Sequence, residues 1–354
     1  MQQEHFFSVE EWHEIINNQD AEGIVFSSSG SADIEKSLVY TENTLIAAVR
    51  RTQEFFRAIF DDFGKKVVIT WGYGLFPPAL FYTLALANLG MTVYPFGSGR
   101  NYRIEDLTKQ ITEINPEVIV GMPSYLSLLY KEIENSGLAE CLSQIQYIIT
   151  GGEVLDKQQR YELESNYGAK VYDHYGMLQF PMIAGECKCG KLHISKEITA
   201  QVMMDNGIIS DVGKGELILS SNIIWDSMKD KKLKTGDNVI LNEYTCSCGI
   251  KTKTIEIVGR KDRRIKVRGQ VINFQDIISK LNLLGYKGYY YFEISNRQTD
   301  ELLIYLDNNV DSKKILAVTE ENVPIKYKII SKKNFVMPRS NSGKIKYIVR
   351  RGVV

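Results

Sequence analysis

Four of the five cysteines fall in two copies of one short pattern, Cys187-Lys188-Cys189-Gly190 and Cys246-Ser247-Cys248-Gly249, and His193 follows the first copy closely. Thiolate and imidazole are ligands that zinc prefers, and soft ligands paired beside glycine turns suit a closed tetrahedral site. Four ligands suffice where five candidates exist, so one is spare. The metal expected here is structural and pins two β excursions together. Cys141 reads as a buried thiol at a helix end.

Other chemistry clusters where apolar runs meet small residues. Ile24-Val25-Phe26 runs into Ser27-Ser28-Ser29-Gly30-Ser31, with Lys36 just beyond. Such a turn exposes backbone N–H groups and hydroxyls, which is what polyphosphate needs. Ile148-Ile149-Thr150-Gly151-Gly152-Glu153 and Val171-Tyr172-Asp173-His174-Tyr175-Gly176 are buried strands that end in glycine. Ligands of open α/β sheets bind beyond the carboxyl ends of strands, so both runs are candidates for a nucleotide wall. Thr235-Gly236-Asp237 reads as a glycine turn presenting a carboxylate, which can accept from both hydroxyls of a vicinal diol. His174 either faces a substrate carboxylate or is a hydrogen-bonded structural histidine.

These residues need a scaffold. Spacing predicts an amphipathic helix within residues 1–20, around Trp12, Ile15 and Ile16. It continues with a helix over 41–60, a strand at 67–70, an apolar helix to 89, a strand at 91–95, a helix at 104–115 and a strand at 118–121. Strand–helix alternation of this kind predicts an α/β fold with a mainly parallel sheet. Residues 198–258 are strand-rich. Next comes the basic stretch Gly259 to Gly269, which reads as a solvated hairpin or as a hinge. The remaining residues, about ninety in number, have the size of a small α+β domain, with strands near 265–267, 289–294, 302–306 and 328–330 and helices near 274–283 and 312–319. The expectation is a large multi-layer N-terminal domain, residues 1–261, containing the zinc excursion, and a small mobile domain, residues 262–354.

Charge is balanced, with 43 basic and 43 acidic residues among 354, so no general attraction to nucleic acid or an acidic membrane is encoded. The acid-bearing start does not look like a signal peptide, and the apolar segment 75–89 is too short to span a bilayer. Both point to the cytoplasm, where disulfides are disfavoured.

The serine turn, Tyr175-Gly176, Thr235-Gly236-Asp237, Arg260 with Asp262, and Ser342-Gly343-Lys344 occur in an order that resembles the adenylate-forming (AMP-forming) ligase superfamily. Trp71-Gly72-Tyr73-Gly74-Leu75-Phe76 adds a likeness to the phenylacetate-CoA ligase group. The resemblance covers nearly the whole chain. It implies that Ser28, Ser29, Gly30, Ser31 and Lys36 hold the β and γ phosphates of ATP, although Asp33 stands where the family's loop usually has a second glycine. It further implies that Gly151, Gly152 and Glu153 line the adenine side, that Asp173 accepts from the adenine amino group, and that Tyr175 stacks on the base. Asp237 and Arg260 become the ribose clamp, Asp262 the hinge, and Lys344 the catalytic lysine. A glutamate normally coordinates magnesium where this chain has Gln179, whose amide brings no charge. Related ligases would favour Cys187, His193, Cys246 and Cys248 as the zinc set, with Cys189 as the alternate.

The implied reaction is ATP-dependent activation of a carboxylic acid to an acyl-adenylate. Transfer follows to a thiol, either CoA or the phosphopantetheine of a separate carrier protein. The aromatic turn at Tyr73 and Phe76 favours an aryl acid. Only about 26 residues precede the phosphate loop where relatives carry more, so part of the acid pocket or a dimer contact is expected to be absent. With Gln179 and Asp33, this keeps a second class in view: a catalytically weak relative that binds nucleotide or a partner protein.

Overall fold

Strands buried on both faces read as unbroken apolar runs, and Val67-Val68-Ile69, Val118-Ile119-Val120 and Ile148-Ile149 are such runs. In the computed structural model they are fully buried. The structure describes residues 5–17, 22–27, 37–97, 104–221, 224–225, 228–243, 246–260, 264–267, 270–273, 290–295, 301–307, 327–331, 338 and 348–351. It divides into two compact units, Met1–Thr235 with Val239–Ile257, and Gly236–Asn238 with Val258–Val354.

The chain opens with β1 (Phe6–Phe7), α1 (Val9–Asn17), β2 (Ile24–Ser27), β3 (Ser37–Tyr40) and α2 (Glu42–Ile59). Alternation follows through β4 (Lys66–Ile69), α3 (Pro78–Asn88), β5 (Thr92–Pro95), α4 (Ile104–Ile114), β6 (Val118–Val120), α5 (Pro123–Asn135), β7 (Tyr147–Gly151), α6 (Lys157–Tyr167) and β8 (Lys170–Tyr175). Next come β9 (Ala184–Glu186), β10 (Leu192–Ile194), β11 (Thr199–Met203), β12 (Ile209–Ser210), β13 (Gly213–Ser220), β14 (Lys232–Asn242) and β15 (Thr254–Arg260). Local chemistry sets several boundaries. Thr41 caps α2 by accepting from Thr44 N at 3.4 Å, and Asp156 caps α6 by accepting from Gln159 N at 2.8 Å. Gly168, at φ 63°, closes α6 in the left-handed conformation that a non-glycine residue adopts only with strain.

One sheet runs β12-β11-β13-β14-β15-β10-β9-β8-β7-β6-β4-β5, and β1 pairs with β14. The five strands at one end, β5-β4-β6-β7-β8, are parallel. The expected α/β class with a large parallel sheet is therefore observed. The sheet turns antiparallel at β8–β9 and stays so through β9–β10 and β10–β15. Because β4 lies between β5 and β6, strand order reverses at this pair, and Thr70 ties it by donating from N and Oγ1 to the Val120 carbonyl at 2.8 and 2.9 Å. Trp12, Tyr40, Phe56, Trp71, Tyr82 and Phe180 fill one core against the sheet. A second packs Leu107, Ile111, Leu126, Leu129, Ile133 and Leu163 against Ile119, Ile148 and Val171. No described helix is long and apolar enough to cross a membrane.

The sequence reading of Thr235-Gly236-Asp237 as a turn is corrected. All three lie inside β14, where Gly236 takes φ 76°. A left-handed glycine kinks a strand without ending it, as in a G1 bulge. In the second unit, the basic stretch continues into the hairpin β16 (Arg264–Val267) with β17 (Gln270–Asn273). A four-stranded sheet follows, ordered β20 (Tyr327–Ser331), β19 (Glu301–Leu306), β18 (Tyr290–Ser295) and β21 (Ile348–Arg351). Phe292, Ile304 and Leu306 are buried there, and Tyr291 stacks on Tyr305 with ring centroids 4.3 Å apart. The helices expected at 274–283 and 312–319 lie outside the described residues.

Gly151 is required sterically, since a Cβ built on it would sit 2.0 Å from Cε1 of His174. The imidazole cannot retreat, being packed against Trp71, Tyr82 and Phe55. Gly151→Ala is expected to cost about 3 kcal/mol, read as a lower urea midpoint at unchanged slope. A shift below about 0.5 kcal/mol would show that the site yields.

Candidate functional site

The carboxyl ends of β7 and β8 deliver the predicted wall residues side by side, with Thr150 paired to Asp173 and Gly151 to His174. Gly152 turns the chain at φ 75°, and a Cβ there would lie 3.7 Å from Cζ of Phe76, so the aromatic loop after β4 borders this turn. Glu153 Oε2 accepts from the N–H of Ser124 at 3.2 Å, beside the start of α5. Tyr175 is half-buried and Gly176 exposed.

Asp173 accepts from Thr150 Oγ1 at 2.9 Å. Burial pushes its carboxyl up to about 7, against the pull of the Thr150 hydroxyl. The adjacent imidazole shifts the other way: burial lowers His174 to about 4. Its Nδ1 lies 2.7 Å from the Thr150 carbonyl and 2.5 Å from the Tyr82 hydroxyl. The structure thus corrects one of the two roles offered for His174. It is a neutral core residue packed on Gly151, not a group facing a substrate.

The loop after Gly176 is pinned by three distant side chains. Tyr40 donates to the Leu178 carbonyl, Trp225 Nε1 to the Gln179 carbonyl at 2.6 Å, and Arg51 Nε to the Pro181 carbonyl at 3.0 Å. Burial lowers Arg51 to about 10, and Glu197 holds its charge with Nη1 at 3.3 Å. The Gln179 side chain is itself buried, and its amide meets Nε2 of His13 on α1. Sequence alone aimed this amide at magnesium; the structure gives it a core partner.

Four of the five candidate metal ligands converge. The ligand atoms of Cys187, His193, Cys246 and Cys248 all lie within 4.8 Å of one another. Two cysteine turns present the three thiols and β10 presents His193; each turn is closed by a glycine N–H, with Gly190 donating to the Cys187 carbonyl at 2.9 Å and Gly249 to that of Cys246 at 3.0 Å. Both glycines have positive φ, 72° and 85°. The sulfurs of Cys187 and Cys246 are 3.8 Å apart, and Cys248 Sγ is 3.5 Å from His193 Nε2. Tetrahedral zinc with ordinary bond lengths places two sulfurs roughly 3.8 Å apart and sulfur from nitrogen roughly 3.5 Å apart, so the donor set fits that ion. Thr252 Oγ1 lies 3.4 Å from His193 Nδ1 and orients the ring. The N–H of Cys248 and the ring of His193 hold the Cys246 thiol below its usual range. Cys189, proposed as the alternate ligand, is exposed, and its thiol meets Ser247 Oγ at 3.2 Å. Cys141 is half-buried in the 3-10 turn Ala139–Leu142.

Asp237 is buried and lies 3.5 Å from Nε of Arg260, so two residues twenty-three positions apart come together within the second unit. Ser28, Ser29, Gly30, Ser31, Lys36, Asp262 and Lys344 lie outside the described residues. Sequence reasoning missed Thr150, Arg160, Glu186 and Thr252. Only Glu186 carried a signal, as an acid directly before a candidate ligand at the end of a short strand.

No protein-family model matches the chain. A phenylacetate-coenzyme A ligase of Thermus thermophilus is 27% identical over 253 residues, covering 69% of this chain and 56% of the relative. Its counterpart from Pseudomonas putida is 27% identical over 252 residues, with the same coverage. The chain thus spans little more than half the length of these relatives. Among solved structures, a 2-hydroxyisobutyryl-CoA ligase in the postadenylation state with R3-HIB-AMP superposes with a TM-score of 0.77 at 15% identity, over 98% of this chain and 79% of that one. ATP-bound MatB from Rhodopseudomonas palustris gives 0.65 at 16% identity, over 91% and 66%.

Asp173 and His174 make opposite contributions to acid stability. A histidine lowered from 6.5 to about 4 contributes stability that is lost as pH falls through that window. A carboxyl raised from 3.8 to about 7 contributes stability that is lost as pH rises through its window. Relative to the intact chain, Asp173→Asn should therefore lose stability between pH 6.5 and 4, and His174→Gln should gain it. Urea midpoints across this range check both, and parallel profiles for all three proteins would refute the assignment.

Proposed function

We propose that this chain, related in sequence to phenylacetate-CoA ligases and sharing the fold of adenylate-forming CoA ligases, is an AMP-forming acid–thiol ligase. The observation that carries the reading is the pair of strand ends, Gly151-Gly152-Glu153 and Asp173 to Gly176, set side by side on the carboxyl edge of a parallel sheet. Solved neighbours holding an acyl-AMP or ATP support a nucleotide as the ligand.

A carboxylate oxygen of the acid attacks the α-phosphorus of ATP, the bond to the bridging oxygen breaks, and pyrophosphate leaves with that electron pair. A thiol of CoA or of a carrier protein's phosphopantetheine then attacks the acyl carbon, and AMP departs. Repulsion between two anions is the main barrier, so positioned cations dominate the catalysis. Lys344 is assigned to bridge the carboxylate and α-phosphate, with Ser28, Ser29, Gly30, Ser31 and Lys36 on the outer phosphates. Gly151, Gly152 and Glu153 take the adenine side and Tyr175 the base face. One oxygen of Asp173 is engaged by Thr150; the other is assigned to the adenine amino group. Asp237 and Arg260 are assigned to the ribose. Residues 262–354, with Asp262 as hinge, are read as the mobile domain that carries Lys344.

Magnesium would screen the charge of the phosphates. Gln179, with its amide against His13, offers it no charged ligand, so the ion is assigned to ATP's own oxygens. Zinc would be held by Cys187, His193, Cys246 and Cys248 in a structural role, as four ligands close its coordination. The exposed Tyr73 and the Phe76 ring beside Gly152 support an aryl acid. The second reading, a weakly catalytic nucleotide- or partner-binding relative, rests on the neutral, core-facing Gln179.

Pyrophosphate–ATP exchange over aryl and short-chain acids tests adenylation, and product masses with CoA, a carrier protein and an amine identify the acceptor. Exchange with no acid, alongside normal ATP binding, would favour the second reading. Lys344→Ala is expected to slow exchange at least ~100-fold with ATP affinity nearly intact; undiminished exchange removes Lys344 from the site. Purified protein should carry about one equivalent of zinc, and less than a tenth after chelator-free purification would refute the centre.

A further inference from the structure

The pairing of β9 with β8 covers only His174 with Gly185 and Tyr175 with Ala184. One residue beyond Glu186 the chain leaves the sheet, because Cys187 opens the turn that Gly190 closes. Asp173 therefore lies past the paired register on β8, where a buried N–H still needs an acceptor. The Glu186 side chain supplies it, with Oε2 2.7 Å from Asp173 N. The same oxygen accepts from Nη2 of Arg160 on α6 at 2.8 Å, and Nη1 of that arginine donates to the Val171 carbonyl at 2.9 Å. Glu164 Oε1 accepts from Val171 N at 3.1 Å. Glu186 is 5% exposed, so its carboxylate works away from water, where leaving one of its bonds unmade is costly.

The covalent neighbour of Glu186 is a metal-ligand candidate, and its hydrogen-bonded neighbour is the strand end assigned to adenine. We infer that Glu186 is a positioning residue that fixes the tip of β8, so that filling of the Cys187–His193–Cys246–Cys248 centre and nucleotide affinity are coupled. The inference rests on the nucleotide reading above. With the centre filled, Cys187 is held, and the Glu186 carboxylate is held with it. With the centre empty, the turn loses its tie to His193 and keeps its backbone bonds, the Lys188–Asp61 ion pair and the Cys189–Ser247 contact, and the acceptor under Asp173 loosens. Coupling of this kind is reciprocal, so bound nucleotide must also slow loss of the metal.

The experiment measures ATP affinity by calorimetry, with magnesium present, for metal-replete protein and for protein stripped by a chelator that is then removed. Wild type, Glu186→Ala, Glu186→Gln and the control Asp211→Asn, a surface partner of Lys253, are compared, with melting curves confirming that each is folded. Stripping should weaken ATP binding by wild type and the control about tenfold, as expected for loss of one charge-assisted hydrogen bond. Glu186→Ala should show the same loss while replete and change less than about twofold on stripping; Glu186→Gln should fall between. The apparent KM for the acid should stay unchanged in both variants, so that the loss is confined to the nucleotide, and a weaker ATP affinity in protein shown to be folded is not produced by general destabilisation. ATP should also slow zinc release to a chelator in wild type but not in Glu186→Ala. Variants that bind ATP as wild type does, or lose as much as wild type on stripping, overturn the coupling alone. A wild type that binds no ATP removes the nucleotide reading and the coupling together. Should Glu186→Ala fail to fold, Glu186→Gln decides by the same criteria.

Discussion

A parallel strand buried on both faces can display polar chemistry only at its end. The interior positions of β4, β6 and β7 are apolar and closed to water, because an unpaired polar group there would cost more than any function could return. Polar side chains appear at or near the ends of β4, β7 and β8, at Thr70, Thr150 and Asp173, and each is tied to its neighbouring strand. The glycines that follow let the chain turn away over bulky neighbours, as Gly151 does beneath the His174 ring. The candidate site is therefore a consequence of how the sheet is covered, and its residues inherit the sheet's rigidity.

The loop beyond β8 shows the same economy in a segment without regular structure. Three carbonyls within four residues, those of Leu178, Gln179 and Pro181, each receive a donor from a different distant segment, β3, α2 and Trp225. A single bond of this type contributes about 1 kcal/mol net, while leaving its buried partner unsatisfied costs roughly 1–3 kcal/mol. The three together specify one backbone path. Arg51 illustrates the cost of the arrangement, since burial disfavours its charge and Glu197 must stay alongside to offset it.

The cysteine turns connect this rigid half to the antiparallel strands. Cys187 and Cys246 are 59 positions apart, yet their sulfurs are at zinc-ligand spacing, and closing so long a loop constrains the unfolded chain most. His193 reaches the centre from β10, whose backbone pairs with β9 on one side and β15 on the other. The ligand cluster is thus built into the sheet and is not an appendage on it. That is why a charge beside one ligand can reach back to the strand end three strand positions from Gly176.

Sequence by itself determined the alternation of strands and helices, the glycine endings of β7 and β8, and the repeated cysteine turns, because each is written in residues a few positions apart. A period of two or about 3.6 residues, a cap or a positive-φ glycine needs no distant partner to be recognised. Only the tertiary structure decided which of five ligands converge, that His174 belongs to the core, that Gly236 kinks a strand, and that Gln179 turns to His13 across 166 positions of chain. Hydrogen-bond partnership is fixed within a few ångströms of space, and separation along the chain does not encode that distance.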